Sequence, residues 1–222
     1  FFAAEGAFDE INNSNGKINI GIGTGSTTTI FINEFLPNFK NRINKIFSSS
    51  NESTELLENL KFEVSQGAPE NFLLDYYIDG ADEITPEKTM IKGGGGALLR
   101  EKILANISRE TIIIVDETKI VEQLGKHPLP IEILSFATGA IIDKIRKLGY
   151  QGTMREHNKD GTFITDNGNH IYDIHFEGLR EDPEKDHEKL SRIPGVLETG
   201  FFFNLASRVL IGREDGSVDH WS

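Results

Sequence analysis

The 222-residue chain contains no cysteine, so it can form no disulfide, no thiolate metal site and no cysteine nucleophile. Basic residues are scarce, because 23 Lys and Arg stand against 35 Asp and Glu and the net charge is −12. This balance argues against nonspecific nucleic-acid binding, which requires a basic surface. No run approaches the roughly 18 apolar residues of a membrane span, and the first residues lack the basic start and apolar core of a signal peptide. We therefore expect a soluble, cytoplasmic protein.

Strand and helix patterns alternate over the first half of the chain. Apolar runs predict strands at 18–22, 44–50, 61–64, 76–79 and 111–116, and helical spacing predicts helices at 27–36 (ended by Pro37), 53–60 (with Ser53 as N-cap) and 96–107. Nearly all-apolar strands that alternate with helices are typical of a parallel sheet covered on both faces. We expect an α/β fold with a Rossmann-like catalytic domain over 1–128, completed by a tail strand within 205–222.

The pattern changes after the two prolines and the glycine of residues 125–130. The following segments predict a strand at 131–136, a helix at 139–148, strands at 152–156 and 171–177, a helix at 183–192 and a strand at 196–203. An Asn-Gly pair within 165–170 indicates a turn between the two middle strands. The order βαββαβ is the ferredoxin-like motif, so we predict a smaller α+β domain over 129–204.

The first candidate site is the loop after the strand at 18–22, where glycines occupy every second position of 21–25. The spacing fails the dinucleotide fingerprint, which needs a further glycine, and no lysine completes a Walker A loop. The residues placed to bind a ligand are Thr24, Gly25, Ser26 and Thr27. Hydroxyls and free amides at a helix N-terminus suit a small phosphate, although an ordinary strand-to-helix turn accounts for them equally well.

Two carboxylates follow the predicted strand at 76–79, in the order Asp79, Gly80, Ala81, Asp82. Ligands bind beyond the carboxyl ends of strands in open α/β sheets, and carboxylates there can accept hydrogen bonds from sugar hydroxyls and transfer protons. A turn rich in Asp and Gly is the ordinary alternative. A metal site is a third interpretation, but the spacing is not that of an EF-hand.

A run of four glycines at 93–96 follows Lys92. Glycine lets a backbone approach a ligand closely, and Lys92 would supply a positive charge for an oxyanion or a phosphate. Helical periodicity by itself favours a solvated Glu101 over a catalytic one. Lys119, which follows the strand at 111–116, fits a surface lysine as well as a ligand contact. The six histidines show no metal-ligand spacing.

Five separated motifs together resemble the type A ribose-5-phosphate isomerase family. They are GIGTGSTT, DGADEI, KGGGGALLREK, DETK and LGKHPLP, in this order along the chain. The resemblance implies interconversion of D-ribose 5-phosphate and D-ribulose 5-phosphate, in the non-oxidative branch of the pentose phosphate pathway. It implies no cofactor, a sugar-phosphate substrate as the partner, and a homodimer or a tetramer. An aldose–ketose isomerisation of this kind passes through an enediolate, for which a single carboxylate suffices as base.

Residue by residue, the resemblance implies that Glu101 is the catalytic base and that Asp79, Asp82 and Lys92 line the sugar site. The full set of expected substrate contacts is Thr24, Gly25, Ser26, Thr27, Asp79, Gly80, Ala81, Asp82, Lys92, Gly93, Gly94, Gly95 and Lys119. Two features depart from the family pattern. Gly96 stands where alanine is usual, which we expect to loosen the start of the following helix, and no lysine precedes Lys17 to contact the phosphate.

Other functions remain as alternatives. A sugar-phosphate-sensing regulator would need a DNA-binding element, which does not fit into the 17 residues before the first predicted strand, and the acidic charge opposes it. A related sugar-phosphate deaminase or lactonase is a second possibility, but Lys92 with Glu101 around the glycine run fits an isomerase better. A nucleotide-dependent enzyme is disfavoured, since both phosphate-loop fingerprints fail.

Overall fold

The computed structural model describes residues 1–14, 16–157 and 161–222. Its helices are α1 (Phe2–Asn12), α2 (Ser26–Ile30), α3 (Asn51–Asn59), α4 (Leu98–Asn106), α5 (Thr138–Lys147) and α6 (Pro183–Ser191). Its strands are β1 (Ile18–Ile22), β2 (Ile43–Ser48), β3 (Leu74–Asp79), β4 (Glu83–Ile84), β5 (Met90–Ile91), β6 (Ser108–Asp116), β7 (Leu129–Ile133), β8 (Gly152–Met154), β9 (His170–Ile174), β10 (Val196–Thr199), β11 (Phe201–Phe202), β12 (Arg208–Gly212) and β13 (Val218–Trp221). The chain forms two compact units. The first consists of 1–81, 100–120 and 204–222, and the second of 82–99 and 121–203.

The first unit is built on a six-stranded sheet with the order β13–β12–β6–β3–β1–β2. Its neighbouring strands pair in parallel, except that β13 pairs antiparallel with β12. β6 carries five consecutive buried residues, from Thr111 to Val115, as expected of a strand covered on both faces. β12 is the tail strand that rejoins this sheet, as predicted.

Helices cover both faces of this sheet. Ile20 and Ile78 pack in one buried cluster with Ala7 of α1. Tyr77, the neighbour of Ile78 on β3, packs in another with Leu104 of α4, because successive strand residues point to opposite faces. The Rossmann-like part of the predicted fold is therefore confirmed.

The second unit contains a four-stranded antiparallel sheet with the order β10–β7–β9–β8. Along the chain its elements run β7, α5, β8, β9, α6, β10, which is the predicted βαββαβ motif. Ile145 of α5 and Leu190 of α6 share one buried cluster with Ile131 and Tyr172 of the sheet. Both helices thus cover the same face, and the ferredoxin-like part of the fold is confirmed.

A smaller sheet in the second unit has the order β11–β5–β4. Because β5 pairs with Phe201–Phe202 of β11, the segment 82–99 groups with the ferredoxin-like motif. The compact units also place 121–128 in the second unit and Asn204 in the first. The sequence-based division at 128/129 and 204/205 stays a prediction.

Several element boundaries differ from the predictions. The helix expected at 27–36 becomes α2, a π-helical turn at Phe31–Phe35 and a 3-10 turn at Leu36–Phe39. Pro37 does not end it, because proline is tolerated in the first turn of a helix. In the described structure, 61–64 contributes only a single parallel bridge, from Val64 to Ile46, instead of a strand.

One predicted helix cap is wrong, and one helix was not predicted. Ser50, not Ser53, caps α3, since its side chain accepts a hydrogen bond from the Ser53 N–H at 3.1 Å. The unpredicted helix is α1, where Ala3, Ala7 and Ile11 recur at four-residue intervals and are buried. Small alanines gave too weak a hydrophobic signal, and packing against the sheet supplied the rest.

Candidate active site

A first group of candidate site residues, in the first unit, lies where the strand order of the sheet reverses. β1 has β2 on one side and β3 on the other, so the carboxyl ends of β1 and β3 form a topological switch point, where ligands of such sheets bind. Gly23 follows β1 and donates its N–H to Ile78 O at 2.8 Å. A Cβ on Gly23 would lie 2.0 Å from Asp79 Oδ1, so only glycine permits this approach.

Asp79 is completely buried and organises this loop. Its Oδ1 accepts hydrogen bonds from the N–H groups of Thr24 (3.2 Å) and Gly80 (2.7 Å), and its Oδ2 accepts from the Tyr77 hydroxyl at 2.6 Å. The Thr24 hydroxyl lies 2.8 Å from that of Ser49, which in turn hydrogen-bonds to Tyr77. The expected site residues Thr24, Asp79 and Gly80 therefore belong to one partly buried network, with Asp79 at its centre.

The loop continues into the N-terminus of α2. Gly25 has φ +117° and precedes the helix without a side-chain cap. Gly25 and Ser26 are exposed and Thr27 is half-buried. The first amides of a helix have no partner within it, and Gly25 and Ser26 at this end are exposed, so the end can hold an anion.

Glu101 lies in the first turn of α4 and is 2% exposed. This corrects the periodicity argument, which favoured a solvated side chain. Burial, followed by the charges of Asp79 and Glu101, raises the pKa of Tyr77 well above its usual range. Tyr77 consequently stays a hydrogen-bond donor at neutral pH, and the two carboxylates lie near enough to act on it.

Lys119 occupies the 3-10 turn Glu117–Lys119 directly after β6 and is half-buried. β6 is the parallel neighbour of β3, so Lys119 lies at the same edge of the sheet as Asp79. Partial burial tends to raise the pKa of Asp116, but hydrogen bonds from Thr118 outweigh it and the net pKa is lowered, with a contribution from Lys119. This edge thus carries a cation, Lys119, directly after the strand next to β3.

A second group of candidate site residues lies within the second unit. Asp82 precedes β4 and Lys92 follows β5, and the two strands form an antiparallel pair, with the Asp82 N–H bonded to Ile91 O at 2.9 Å. Lys92 is 3% exposed, and its Nζ lies 5.4 Å from the ring centroid of Phe202. The hairpin therefore places an acidic residue, Asp82, and a basic residue, Lys92, at the same end of the β4–β5 pair.

The glycine run follows Lys92. Gly94 N–H donates to Asp82 Oδ2 at 2.8 Å, and a Cβ on Gly94 would lie 2.6 Å from Asp82 Oδ1. Gly93 is buried with φ +102°, whereas Gly94 and Gly95 are exposed. The exposed part of the run can therefore approach a ligand with its backbone, as expected from the sequence.

Gly96 does not loosen the helix, contrary to expectation. α4 begins two residues later, at Leu98, and the Gly96 N–H is bonded to Gly93 O at 2.9 Å. Gly96 has φ +80°, and a Cβ there would lie 2.5 Å from the Phe163 ring. The glycine is a fixed turn residue of the run rather than a weak first residue of α4.

Sequence reasoning missed several residues that hold these loops. Tyr77 carried a usable signal, because it lies two residues before Asp79 on one strand and so shares its face. Arg155, whose Nη1 lies 2.9 Å from both Gly93 O and Gly94 O, carried none, since it is 61 residues or more away along the chain. His127, one of the six histidines without metal-ligand spacing, lies with Nε2 4.0 Å from Asp82 Oδ1.

Within 1–14, 16–157 and 161–222, no helix is long and apolar enough to span a bilayer. The same ranges contain no group of three or more His, Cys, Asp or Glu side chains that could hold a metal ion.

Comparison with known proteins gives a consistent family. The model of the family "Ribose 5-phosphate isomerase A (phosphoriboisomerase A)" matches residues 45–216. A ribose-5-phosphate isomerase A from Protochlamydia amoebophila is 44% identical over 197 residues, covering 89% of this chain and 85% of that protein. A ribose 5-phosphate isomerase structure from Plasmodium falciparum has a TM-score of 0.90 at 31% identity and covers 99% of this chain and 97% of its own. A D-ribose-5-phosphate isomerase in complex with phospho-erythronic acid has a TM-score of 0.86 at 35% identity, with coverage of 99% and 95%.

Proposed function

Because the chain belongs to the ribose 5-phosphate isomerase A family, a family of isomerases, we propose that it interconverts D-ribose 5-phosphate and D-ribulose 5-phosphate. Family membership is the observation that carries the proposal. The geometry of each unit supports it, because each contains a glycine loop, a carboxylate on that loop and a further buried ionisable side chain.

The proposed reaction moves one proton between adjacent carbons. Glu101 removes the proton from C2 of the open-chain aldose, giving an enediolate, and returns it to C1, while the proton on O2 passes to O1. The product is the ketose, and no oxidant or co-reactant is consumed. The near-complete burial of Glu101 supports this role, since general bases act best in dry surroundings that tune their basicity.

The enediolate carries negative charge on oxygen, which fixed donors must stabilise. We assign this role to Lys92 and to the amides of the glycine run at Gly94 and Gly95. Lys92 is buried beside Phe202, so its charge is held in a poorly solvated position. Charges and dipoles act more strongly there than they do in water.

Ring opening precedes isomerisation, because the sugar is mostly cyclic. The anomeric hydroxyl must lose a proton as the C1–O4 bond breaks, and O4 must gain one. We assign this transfer to Asp82 rather than Asp79. Asp82 has a side chain 25% exposed and can reach a ligand, whereas both oxygens of the buried Asp79 already accept hydrogen bonds from within the protein.

The phosphate end is assigned to the loop from Thr24 to Thr27 and to Lys119. Exposed amides at the start of α2 and a lysine at the same sheet edge provide local positive potential in a chain of net charge −12. The reaction is proposed to serve the non-oxidative branch of the pentose phosphate pathway, in the cytoplasm, with the chain as a homodimer or a tetramer. Sedimentation of the purified protein tests the assembly.

Ketose formation from ribose 5-phosphate tests the function, with arabinose 5-phosphate as the substrate control. In D2O, proton exchange through the enediolate places deuterium at C1 of the ketose. Glu101→Gln should lower kcat by roughly 10² to 10⁴, with KM little changed. Glu110→Gln, in the same unit but outside the proposed site, should keep normal kcat. A wild-type protein without turnover contradicts the function, and a Glu101→Gln variant with near-normal kcat contradicts only the assignment of the base.

A further inference from the structure

The Arg155 side chain hydrogen-bonds to the backbone of the glycine run. Its Nη1 donates to both Gly93 O and Gly94 O, each at 2.9 Å. In a trans peptide the C=O of one residue and the N–H of the next point in opposite directions. Arg155 therefore turns two successive N–H groups, those of Gly94 and Gly95, away from the guanidinium.

The first of these two amides confirms the direction. Gly94 N–H donates to Asp82 Oδ2 at 2.8 Å, so it points to the side on which the Asp82 carboxylate lies. Gly95 N–H belongs to the next peptide, whose carbonyl is held in the same way. Among the residues that the structure describes, no group accepts a hydrogen bond from Gly95 N–H, and Gly95 is exposed.

Arg155 is itself fixed from three directions. Asp173 on β9 accepts from its Nε (2.9 Å) and its Nη2. Both side chains of this pair are only 15% and 16% exposed. The Arg155 N–H is bonded to Ile171 O on the same strand, and its guanidinium lies 5.8 Å from the Phe163 ring centroid. The Arg155 guanidinium that bonds to the glycine run is therefore held in place by β9 of the four-stranded sheet.

We propose that Arg155, held by Asp173, is a positioning residue for the isomerisation: it orients the Gly94–Gly95 peptide so that Gly95 N–H donates to a substrate oxygen. This inference rests on the proposed function. A guanidinium suits the task because its planar fork engages a carboxylate on one edge while another nitrogen donates to two carbonyls. A lysine ammonium at this position would reach either Asp173 or the glycine carbonyls, not both sets.

The test compares Arg155→Lys with Arg180→Lys. Arg180 lies in the same unit and is also paired with a carboxylate, Asp186, at 2.7 Å, but it does not contact the glycine run. Hydrogen–deuterium exchange of the peptide 92–98 measures, without substrate, how firmly Arg155 holds the glycine run. Kinetics with ribose 5-phosphate measure whether these hydrogen bonds contribute to catalysis. Arg155→Ala with added guanidinium ion tests chemical rescue.

We expect Arg155→Lys to speed exchange in 92–98 and to lower kcat about 10²-fold with KM changed less than about threefold, as misplacing a catalytic group by an ångström does. Guanidinium should restore part of the kcat of Arg155→Ala. Arg180→Lys should show neither effect. Unchanged exchange, or faster exchange with normal kcat, would overturn the inference. If the wild-type protein lacks isomerase activity while Arg155→Lys speeds exchange, the proposed function is wrong, and only the conclusion that Arg155 holds the glycine run in place is kept.

Discussion

The two glycine loops are held by the same kinds of contact but with different strength. In the loop after β1, Thr24 N–H donates to Asp79 and the Ser53 hydroxyl donates to Gly23 O at 2.7 Å. In the run after β5, Gly94 N–H donates to Asp82 and Arg155 donates to two carbonyls. In each loop, a backbone N–H donates to a carboxylate and a backbone carbonyl accepts from a side chain. The side-chain donor is a neutral hydroxyl in the first loop and a guanidinium in the second.

The difference between the two side-chain donors follows from the strand that precedes each loop. The first follows β1, a five-residue strand paired in parallel on both sides, so its start is already fixed and neutral donors suffice. The second follows β5, a strand of only two residues, and its last glycines are exposed. A short strand fixes little of the chain that follows it. The charged side chain of Arg155, which directly follows β8, therefore holds the run through its hydrogen bonds to Gly93 O and Gly94 O.

The largest contrast is expected between the two carboxylates. Asp79→Ala should lower the free energy of unfolding by about 3 kcal/mol, since it leaves buried donors without an acceptor at roughly 1–3 kcal/mol each. Asp82→Ala should cost less than about 1 kcal/mol, because water can reach the exposed Gly94 N–H. Urea unfolding of both variants measures this. Equal losses would show that the two loops do not differ in the way described.

An intermediate effect is expected at Tyr77. Tyr77→Phe should lower the free energy of unfolding by about 1.5 kcal/mol at pH 7, because Asp79 loses a hydrogen bond to a charged group. The pKa of Tyr77 is raised in the folded state, so its stabilisation is complete below pH 10 and is lost as the pH rises above 10 towards the folded-state pKa. The gap between wild type and Tyr77→Phe should therefore narrow above pH 10.

The control for this measurement is Tyr76→Phe, a half-buried tyrosine on the opposite face of the same strand. Urea unfolding at pH 7 and pH 10.5 should show a pH-dependent difference for Tyr77→Phe, and Tyr76→Phe measures the effect of removing a tyrosine hydroxyl outside the Asp79 network. A constant gap for Tyr77→Phe across this range would argue against the buried hydroxyl network.

The smallest effect is expected at the neutral donor of the first loop. Ser53→Ala removes the hydroxyl that bonds to Gly23 O and should cost about 1 kcal/mol of stability. It should also raise KM about fivefold, since the same 1 kcal/mol would be lost from the positioned phosphate loop. Ser50→Ala removes the N-cap of the same helix at a similar cost but should leave KM unchanged. Identical kinetics in the two variants would place Ser53 outside the support of the loop.

Much of the fold could be predicted from local patterns. The apolar run at 111–116 is a buried central strand, and the order of elements after residue 129 gave the ferredoxin-like motif. The predictions failed where local preference was weak or was overridden. The alanine-rich α1 gave little hydrophobic signal, and the segment after Ile30 continues as a π-helical turn and a 3-10 turn instead of ending at Pro37.

The candidate site divides in the same way. Thr24, Asp79, Asp82 and Lys92 could be proposed as site residues from the sequence because each lies in a short motif with its own glycines. The burial of Glu101 could not be predicted, because helical periodicity among charged neighbours describes the helix and not what packs against it.

The sequence by itself determined the alternation of strands and helices, the two glycine loops and the carboxylates that follow them, because these depend on contacts within a few residues. Only the tertiary structure decided which side chains hold the loops. Ser53 reaches Gly23 across 30 residues and Arg155 reaches Gly93 across 62. Such contacts depend on strand order and helix packing, which bring distant residues together only after the chain has folded.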